Sequence, residues 1–438
     1  MRNPKILLSL LLTALAALFA TQAGAQGLTV QIVNGVPSAI PITVVPFGQE
    51  AAGPPPPVDI ASVVSMDLDR CGKFRTLPKD EIVESPTSGS QIRFPTWQQL
   101  KQDYIVVGRT ADAGNGALRA DFELWDVNKQ QQLLGLSITG QGSDLRRIAH
   151  QIADQIYQKI IGVRGAFDTR IAYITMTGAG DSTQYALVVA DSDGYNPQTV
   201  VRSHEPLLSP AWSPDGREIA YVSFESGDSA IYIQNVATGA RRLVSARRGI
   251  NGAPRFSPDG RKLAMSLSFQ GNPEIYVMDM ATGALTRITH NLSINTEPRW
   301  TPDGQNIIFT SDRSGKPQLY EIPATGGTPQ RITFQGQYNA DASISYDGTK
   351  IAMVQGNGNV YRIAVMDRSL GGQEMFLSPG NLDNSPSWAP NASMLLYAAT
   401  EGPHGVLYAV SADGRVRQRL VLANGDVRSP AWGPYRQP

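Results

Sequence analysis

Side chains able to carry out catalysis or bind a metal are few in this sequence, and their spacing matches no catalytic motif. The nearest approach to a Gly-x-Ser-x-Gly nucleophile motif is Gly180-Asp-Ser182, which we interpret as a loop between two strands. The four histidines lack metal-ligand spacing; they are His150, His204, His290 and His404. Carboxylates are spread evenly along the chain. The sequence therefore predicts no catalytic residue, no metal site and no cofactor.

Two further features could carry chemistry, and both have a simpler structural interpretation. Asp191-Ser-Asp193-Gly194 resembles part of a calcium loop, but it stands where related segments carry Thr-Gly turns, so we predict a turn. Cys71 is the only cysteine, which excludes an intramolecular disulfide and any Cys-x-x-Cys motif. We predict that Cys71 is a small buried apolar residue.

A 44-residue repeat organises the second part of the chain. Pro210-Ala-Trp-Ser-Pro-Asp-Gly216 recurs five more times with variations, always with a bulky residue in the third position. These bulky residues are 44 positions apart: Trp212, Phe256, Trp300, Ile344, Trp388 and Trp432. Each copy reads as an inner strand, a Pro-Asp-Gly turn and three further strands, which predicts one blade of a β-propeller.

The repeat predicts a ring of six blades. The last copy stops after its inner strand, whereas residues 170–201 contain three strands without an inner one. We therefore expect the C-terminal strand to complete the sixth blade and close the ring, which removes an exposed sheet edge.

The first part of the chain predicts an α/β domain. Short β-branched runs at Pro41–Pro46 and Tyr104–Gly108 predict buried strands, and apolar residues alternate in Ala117–Val127. Asp144–Ile161 has the apolar spacing of a helix, and a weaker helix is expected at about Val58–Leu68. The predicted domains are a signal peptide at 1–25, an α/β domain at 26–164 and a six-bladed β-propeller at 165–438.

Composition and the N-terminus indicate an exported protein. The 438 residues include 38 Lys and Arg against 38 Asp and Glu, so no net charge attracts nucleic acid. Arg2 and Lys5 precede an apolar run that ends in a small-residue cleavage site, which predicts cleavage between Ala25 and Gln26. No later run is long enough to span a membrane. We predict a soluble, exported mature protein that begins at Gln26 and does not insert into a membrane.

The combination of motifs resembles the TolB family of the bacterial Tol-Pal system over essentially the whole mature chain. The resemblance is carried by Pro41-Ile-x-Val-Val-Pro-Phe47, by Asp103-Tyr-x-x-x-Gly108 and by the junction from Gly162 to Tyr173. Asn251-Gly-Ala-Pro254 and Asn295-Thr-Glu-Pro298 carry it in the propeller. Ile250 departs from the family, in which a histidine is expected at this position.

The resemblance implies a non-enzymatic, monomeric adaptor in the periplasm, between the peptidoglycan-associated lipoprotein Pal and the inner-membrane protein TolA. Such an adaptor supports outer-membrane invagination during cell division and outer-membrane integrity, and other envelope proteins are further candidate partners. The implied TolA-binding segment is Gln26, Gly27, Leu28, Thr29 and Val30. The implied Pal-binding rim of the propeller is Asn251, Ala253, Pro254, Thr296, Glu297, Pro298, Asp341, Ser385 and Arg428.

The residues themselves favour this face of the propeller, because small and polar side chains precede each inner strand and a ring gathers those loops around one rim. Two other classes of function stay open at this point. An exported peptidase or lyase would need a catalytic group, for which Ser182 is the only nominee. A ligand-binding propeller would hold a small molecule in its channel.

Overall fold

The computed structural model describes residues 30–32, 39–50, 56–420, 422 and 425–437. The predicted signal peptide, its cleavage site at Ala25 and Gln26, and the segment up to Thr29 lie outside these residues. Within the described part of the chain, no helix has both the length and the apolar character needed to cross a membrane.

The N-terminal region is a six-stranded mixed sheet with two long helices on one face. Its strand order is β4-β2-β5-β6-β7, and β3 extends the pairing of β5. The strands are β2 (Ile40–Val44), β3 (Gly48–Gln49), β4 (Phe74–Thr76), β5 (Tyr104–Gly114), β6 (Ala117–Asp126) and β7 (Gln131–Gln141). The helices are α1 (Ile60–Arg70), α2 (Phe94–Gln99) and α3 (Leu145–Ile161).

Local sequence signals explain where the long helices begin and end. The Asp59 side chain accepts a hydrogen bond from the Ser62 backbone N–H at 3.2 Å, which caps the N-terminus of α1. Helix α3 ends at Gly162, whose φ of 91° is a left-handed conformation that glycine adopts without a Cβ penalty. Both predicted helices are confirmed.

The central strand β5 is apolar on both faces because both of its faces are covered. Phe122 and Leu124 of β6 belong to the core beneath α1 and α3, whereas Ile105 and Val107 of β5 pack around Trp97 on the other face. The alternation predicted for β6 is confirmed, since its Ala120, Phe122 and Leu124 are buried while the intervening residues are half-exposed.

The remaining strands form six sheets arranged as a propeller. Blades one to three are β11 (Leu207–Trp212) to β14 (Arg241–Ser245), β15 (Asn251–Phe256) to β18 (Leu285–Arg287), and β19 (Asn295–Trp300) to β22 (Gln330–Arg331). Their middle strands are β12 (Glu218–Ser223), β13 (Ala230–Asn235), β16 (Lys262–Leu267), β17 (Glu274–Asp279), β20 (Asn306–Ser311) and β21 (Gln318–Pro323).

Blades four and five follow the same order. Blade four is β23 (Tyr338–Ile344), β24 (Lys350–Asn357), β25 (Val360–Asp367) and β26 (Gln373–Phe376). Blade five is β27 (Asn384–Trp388), β28 (Met394–Glu401), β29 (His404–Ser411) and β30 (Val416–Arg419). The short strand β1 (Val30–Ile32) pairs antiparallel with β30, so blade five has a fifth strand that the repeat did not predict.

Blade six closes the ring as predicted. Its inner strand is the C-terminal β31 (Asp426–Tyr435), which pairs antiparallel with β8 (Thr169–Thr177). The outer strands are β9 (Gln184–Asp191) and β10 (Gln198–Ser203). Because the first and last strands of the propeller share one sheet, chain closure contributes directly to its stability.

Repeated tryptophans tie neighbouring blades together. Trp212, Trp300 and Trp388 each donate an indole N–H to a backbone carbonyl of the preceding blade at 3.1 Å. In blade six, Trp432 donates its indole N–H to the Thr169 hydroxyl at 2.8 Å. Each tryptophan therefore supplies buried apolar area and also satisfies its polar atom, as buried indoles require.

Candidate protein-binding site

The inner strand of every blade carries a bulge at the same position. In each inner strand the pairing register shifts around a non-glycine residue with φ between 48° and 55°. These six residues are Ser209, Ala253, Glu297, Asp341, Ser385 and Ser429. Left-handed backbone at a non-glycine residue costs about 1–2 kcal/mol and concentrates at functional positions.

Four of the nine predicted rim residues occupy this bulge: Ala253, Glu297, Asp341 and Ser385. They are half-buried at the beginning of the inner strands, as are Thr296 and Arg428. The structure therefore brings these six residues to one mouth of the central channel. The spacing of the repeats predicted that these residues lie at the mouth. The bulge was not predictable, because Ser, Ala, Glu and Asp residues do not by themselves indicate a left-handed backbone.

Two acidic residues are held together at this mouth. The Glu297 carboxylate accepts hydrogen bonds from the Thr310 hydroxyl at 2.7 Å and from the Asp341 backbone N–H at 2.8 Å. The Asp341 carboxylate is paired with the Arg299 guanidinium at 2.9 Å. Burial and the nearby charge of Asp341 raise the pKa of Glu297 to about 7.

Three of the predicted contact residues are buried. Asn251 has no exposed surface, and Pro254 and Pro298 are also buried. The Asn251 amide donates to the Arg247 and Gly249 carbonyls at 2.6 and 3.1 Å, so it holds the preceding loop in place. Packing within the blade covers Asn251, Pro254 and Pro298, and their assignment to the Pal-binding rim stays a prediction.

The rim also exposes apolar side chains, of which the sequence analysis named only Ile250. They lie on the loops just before the inner strands, and Leu292 and Phe334 are 94% and 74% exposed. About half of the surface of each of the others is exposed, and these are Ile250, Ile294 and Leu382. The sequence pattern that could have indicated them is an isolated apolar residue within a polar loop. Exposed apolar groups next to polar ones are typical of protein interfaces.

The predicted N-terminal binding segment is described only at its last residue. Gln26, Gly27, Leu28 and Thr29 lie outside the described residues, and Val30 begins β1. Within β1, Val30 is paired with Gln418 and Ile32 with Val416. The segment is therefore continuous with a strand bound to the outer edge of blade five.

A second cluster, which we call the interdomain network, joins α1 and α3 to the turn after β9. Asp67 and Arg70 come from α1, His150 and Arg146 from α3, and Ser192 and Asp193 from blade six. His150 Nδ1 lies 2.5 Å from Asp67 Oδ2, and His150 Nε2 lies 3.5 Å from Asp193 Oδ2.

The charged groups of the interdomain network are paired with one another or with polar groups of the network. The Arg70 guanidinium donates to the Ser192 carbonyl at 3.0 Å and to its hydroxyl at 2.7 Å, and Arg146 is paired with Asp193. Asp67, His150 and Asp193 are close enough to hold a cation. The two arginines already neutralise the carboxylates that a cation would need, so the arrangement fits a buried ion-pair network better than a metal centre.

Proximity to two carboxylates keeps His150 charged. Burial disfavours the imidazolium form, but the negative charges of Asp67 and Asp193 outweigh it and raise the pKa of His150 to about 9. The prediction of a turn at Asp191–Gly194 is confirmed by the Gly194 N–H donating to the Asp191 carbonyl at 2.8 Å. Sequence reasoning missed that this turn is one of the places where the propeller contacts the N-terminal region.

The residues examined for nucleophilic chemistry have structural roles. The Ser182 hydroxyl donates to the Ala179 carbonyl at 2.8 Å within a short helical turn between β8 and β9. The Cys71 thiol is buried and donates to the Leu68 carbonyl, and burial raises its pKa to about 12. A thiol with a raised pKa is a poor nucleophile at neutral pH.

Comparisons with known proteins agree with this architecture. A model described as the TolB beta propeller domain matches residues 157–436, and one described as the TolB amino-terminal domain matches residues 28–133. The chain is 65% identical over 426 residues to the Tol-Pal system protein TolB of Xanthomonas campestris pv. campestris, covering 97% of both chains. It is also 65% identical over 430 residues to that of Xanthomonas oryzae pv. oryzae, covering 98% of this chain and 97% of the other.

A solved structure supports the same assignment over both regions. The crystal structure of TolB from Acinetobacter baumannii is 40% identical in sequence and has a TM-score of 0.85. The match covers 93% of this chain and 99% of that one. This chain therefore belongs to the TolB family, the non-enzymatic propeller proteins of the bacterial Tol-Pal envelope system.

Proposed function

We propose that this protein is a periplasmic adaptor that binds Pal through the propeller rim and TolA through its mature N-terminus. In this role it supports outer-membrane invagination during cell division and outer-membrane integrity. The proposal rests chiefly on the rim, where six strained inner-strand bulges lie next to exposed apolar loops. Strain that recurs in every blade at one mouth of the channel favours a binding role for that mouth.

The chemistry of the rim suits capture of a folded protein. A stable interface needs about 800 Å² per partner, with an apolar centre and polar surroundings. Leu292 and Phe334 supply apolar anchors, while Glu297 and Asp341 supply directional hydrogen-bond acceptors. Since Thr310 and Arg299 hold the two carboxylates, this part of the site is preorganised.

The N-terminal strand suits a segment that changes between bound and free states. Strand β1 has three residues, and its pairing with β30 is its only strand pairing among the described residues. So short a strand is bound by few hydrogen bonds, and a partner that pairs with the same segment competes with β30 for it.

Substitution at the rim tests the Pal part of the proposal. Ala253→Arg places a large charged side chain at a half-buried bulge position without changing the left-handed backbone cost, which Ala already bears. We expect the affinity for a soluble Pal fragment to fall at least about 100-fold, measured by isothermal titration calorimetry. Thr296→Ala removes a smaller contact, and we expect a loss of about fivefold to tenfold.

Gln305→Arg is the matched control. Gln305 is exposed on the turn at the other end of an inner strand, so the same charge is added to the opposite face. Unchanged Pal affinity in Ala253→Arg, with the melting temperature preserved, would contradict the assignment of the rim.

A further inference from the structure

An arginine-lined cleft opens where the N-terminal region meets blades six and one. It has a volume of about 250 Å³, and four of its lining residues are arginines against a single aspartate, Asp215. Arg147 comes from α3. The other three arginines belong to the propeller: Arg170 in β8, Arg217 in the turn before β12, and Arg436 after β31. The cleft is therefore built from both regions of the molecule.

Two of these arginines are neutralised by carboxylates behind the cleft. The Asp168 carboxylate is paired with Arg147 at 3.4 Å and with Arg436 at 3.2 Å, and Asp191 is paired with Arg436 at 2.5 Å. Among the described residues, no carboxylate lies within ion-pair distance of the Arg170 or Arg217 guanidinium. Arg170 is held by the Gly216 carbonyl at 2.6 Å and lies 4.9 Å from the centre of the Trp212 ring.

The four arginines face three carboxylates, those of Asp168, Asp191 and Asp215, so the cleft keeps a net positive charge. Burial of Arg170 and the nearby charges of Arg436 and Arg147 lower its pKa, although Asp191 and Asp168 act in the opposite direction. An anion in the cleft would relieve this repulsion. Guanidinium groups also match carboxylate and phosphate oxygens geometrically, since they donate paired hydrogen bonds.

A larger cavity of about 500 Å³ adjoins the cleft at the end of the channel opposite the rim. The two share Trp212, Pro434, Tyr435 and Gln437. Other walls of the cavity come from prolines and bulky residues of the repeat, among them Pro258, Phe256 and Ile344. Polar residues, among them Arg255 and Arg299, line the cavity as well, and its apolar walls continue directly from the arginine side chains of the cleft.

We propose that this cleft binds a small organic anion, with its carboxylate or phosphate group between Arg170 and Arg217. The apolar part of the ligand lies against Trp212 and Tyr435 and extends into the adjoining cavity. Such a ligand contacts both the N-terminal region and the propeller, at the end of the channel that the proposed Pal site does not use.

Calorimetric titration of the mature protein tests the proposal with defined probes. Phenyl phosphate and phenylacetate each combine an anion with an apolar ring, whereas inorganic phosphate, acetate and benzyl alcohol each lack one half. We expect phenyl phosphate, phenylacetate or both to bind at least about tenfold more tightly than inorganic phosphate, acetate or benzyl alcohol. Which of the two binds more tightly distinguishes a phosphate ligand from a carboxylate ligand.

Arginine variants locate the binding. Arg170→Gln and Arg217→Gln should each weaken binding of the better probe about tenfold or more, whereas Arg242→Gln on the outer strand of blade one should leave it unchanged. Arg217 is exposed, so its variant stays informative if Arg170→Gln fails to fold. No binding at about 10 mM probe, equal binding of phenyl phosphate and inorganic phosphate, or unchanged affinity in Arg217→Gln would overturn the proposal.

Discussion

His150 shows how much a single buried residue contributes to joining the two regions of the molecule. It lies between Asp67 of α1 and Asp193 of blade six, and its pKa is raised to about 9 from 6.5. A group whose pKa is higher in the folded state stabilises that state fully below its unfolded pKa. That contribution disappears as the pH rises through the folded value.

We expect the free energy of unfolding to fall between about pH 6.5 and pH 9 as His150 loses its proton. The change is on the order of 3 kcal/mol, at 1.36 kcal/mol for each unit of pKa. Chemical denaturation at several pH values measures it, and His150→Gln is the comparison because this variant cannot be protonated. Parallel pH profiles for the two proteins would show that His150 is not the responsible group.

At the scale of single elements, β31 contributes most to closing the propeller. It supplies the inner strand of blade six, and its Ala431 carbonyl accepts the Trp212 indole N–H of blade one. After the strand ends, Arg436 is paired with Asp168 and Asp191. Loss of β31 would leave β8 and the adjacent side of blade one uncovered.

Deleting residues 429–438 should therefore lower the melting temperature by about 10 °C or more, since each kcal/mol corresponds to about 2 °C in a domain of about 270 residues, the size predicted for the propeller. Differential scanning calorimetry measures the change. A truncation that removes only Gln437 and Pro438 is the control, because it keeps β31 and Arg436. Unchanged cooperative unfolding of the longer deletion would contradict closure of the ring by β31.

At the scale of the whole molecule, the rim and the N-terminal strand lie on different parts of the propeller. The rim belongs to the inner strands, whereas β1 is bound at the outer edge of blade five. Two separate sites become coupled only if one partner prefers the paired or the released state of β1.

We predict that a saturating Pal fragment changes the affinity of a TolA fragment by about 5- to 150-fold, the range of 1–3 kcal/mol of coupling. Titration calorimetry with and without Pal measures the effect, and the direction of the change identifies the β1 state that Pal favours. The Ala253→Arg variant should show no effect of Pal. Equal TolA affinities for the unaltered protein in both conditions would exclude the coupling.

The sequence by itself determined the propeller, because the repeated turn residues and bulky side chains act locally and recur every 44 positions. It also located α1, α3 and the mouth of the channel, since helical periodicity and strand order are local properties as well. Domain limits and individual partner contacts stay predictions.

Only the tertiary structure decided which distant residues meet. The pairing of β1 with β30, the ion pairs around His150 and the arginine cleft join residues that are far apart in the chain and share no sequence motif. Asn251 matched the family motif yet is buried, because its exposure depends on the loop that folds over it. Burial and charge pairing arise from packing between elements, which no local pattern records.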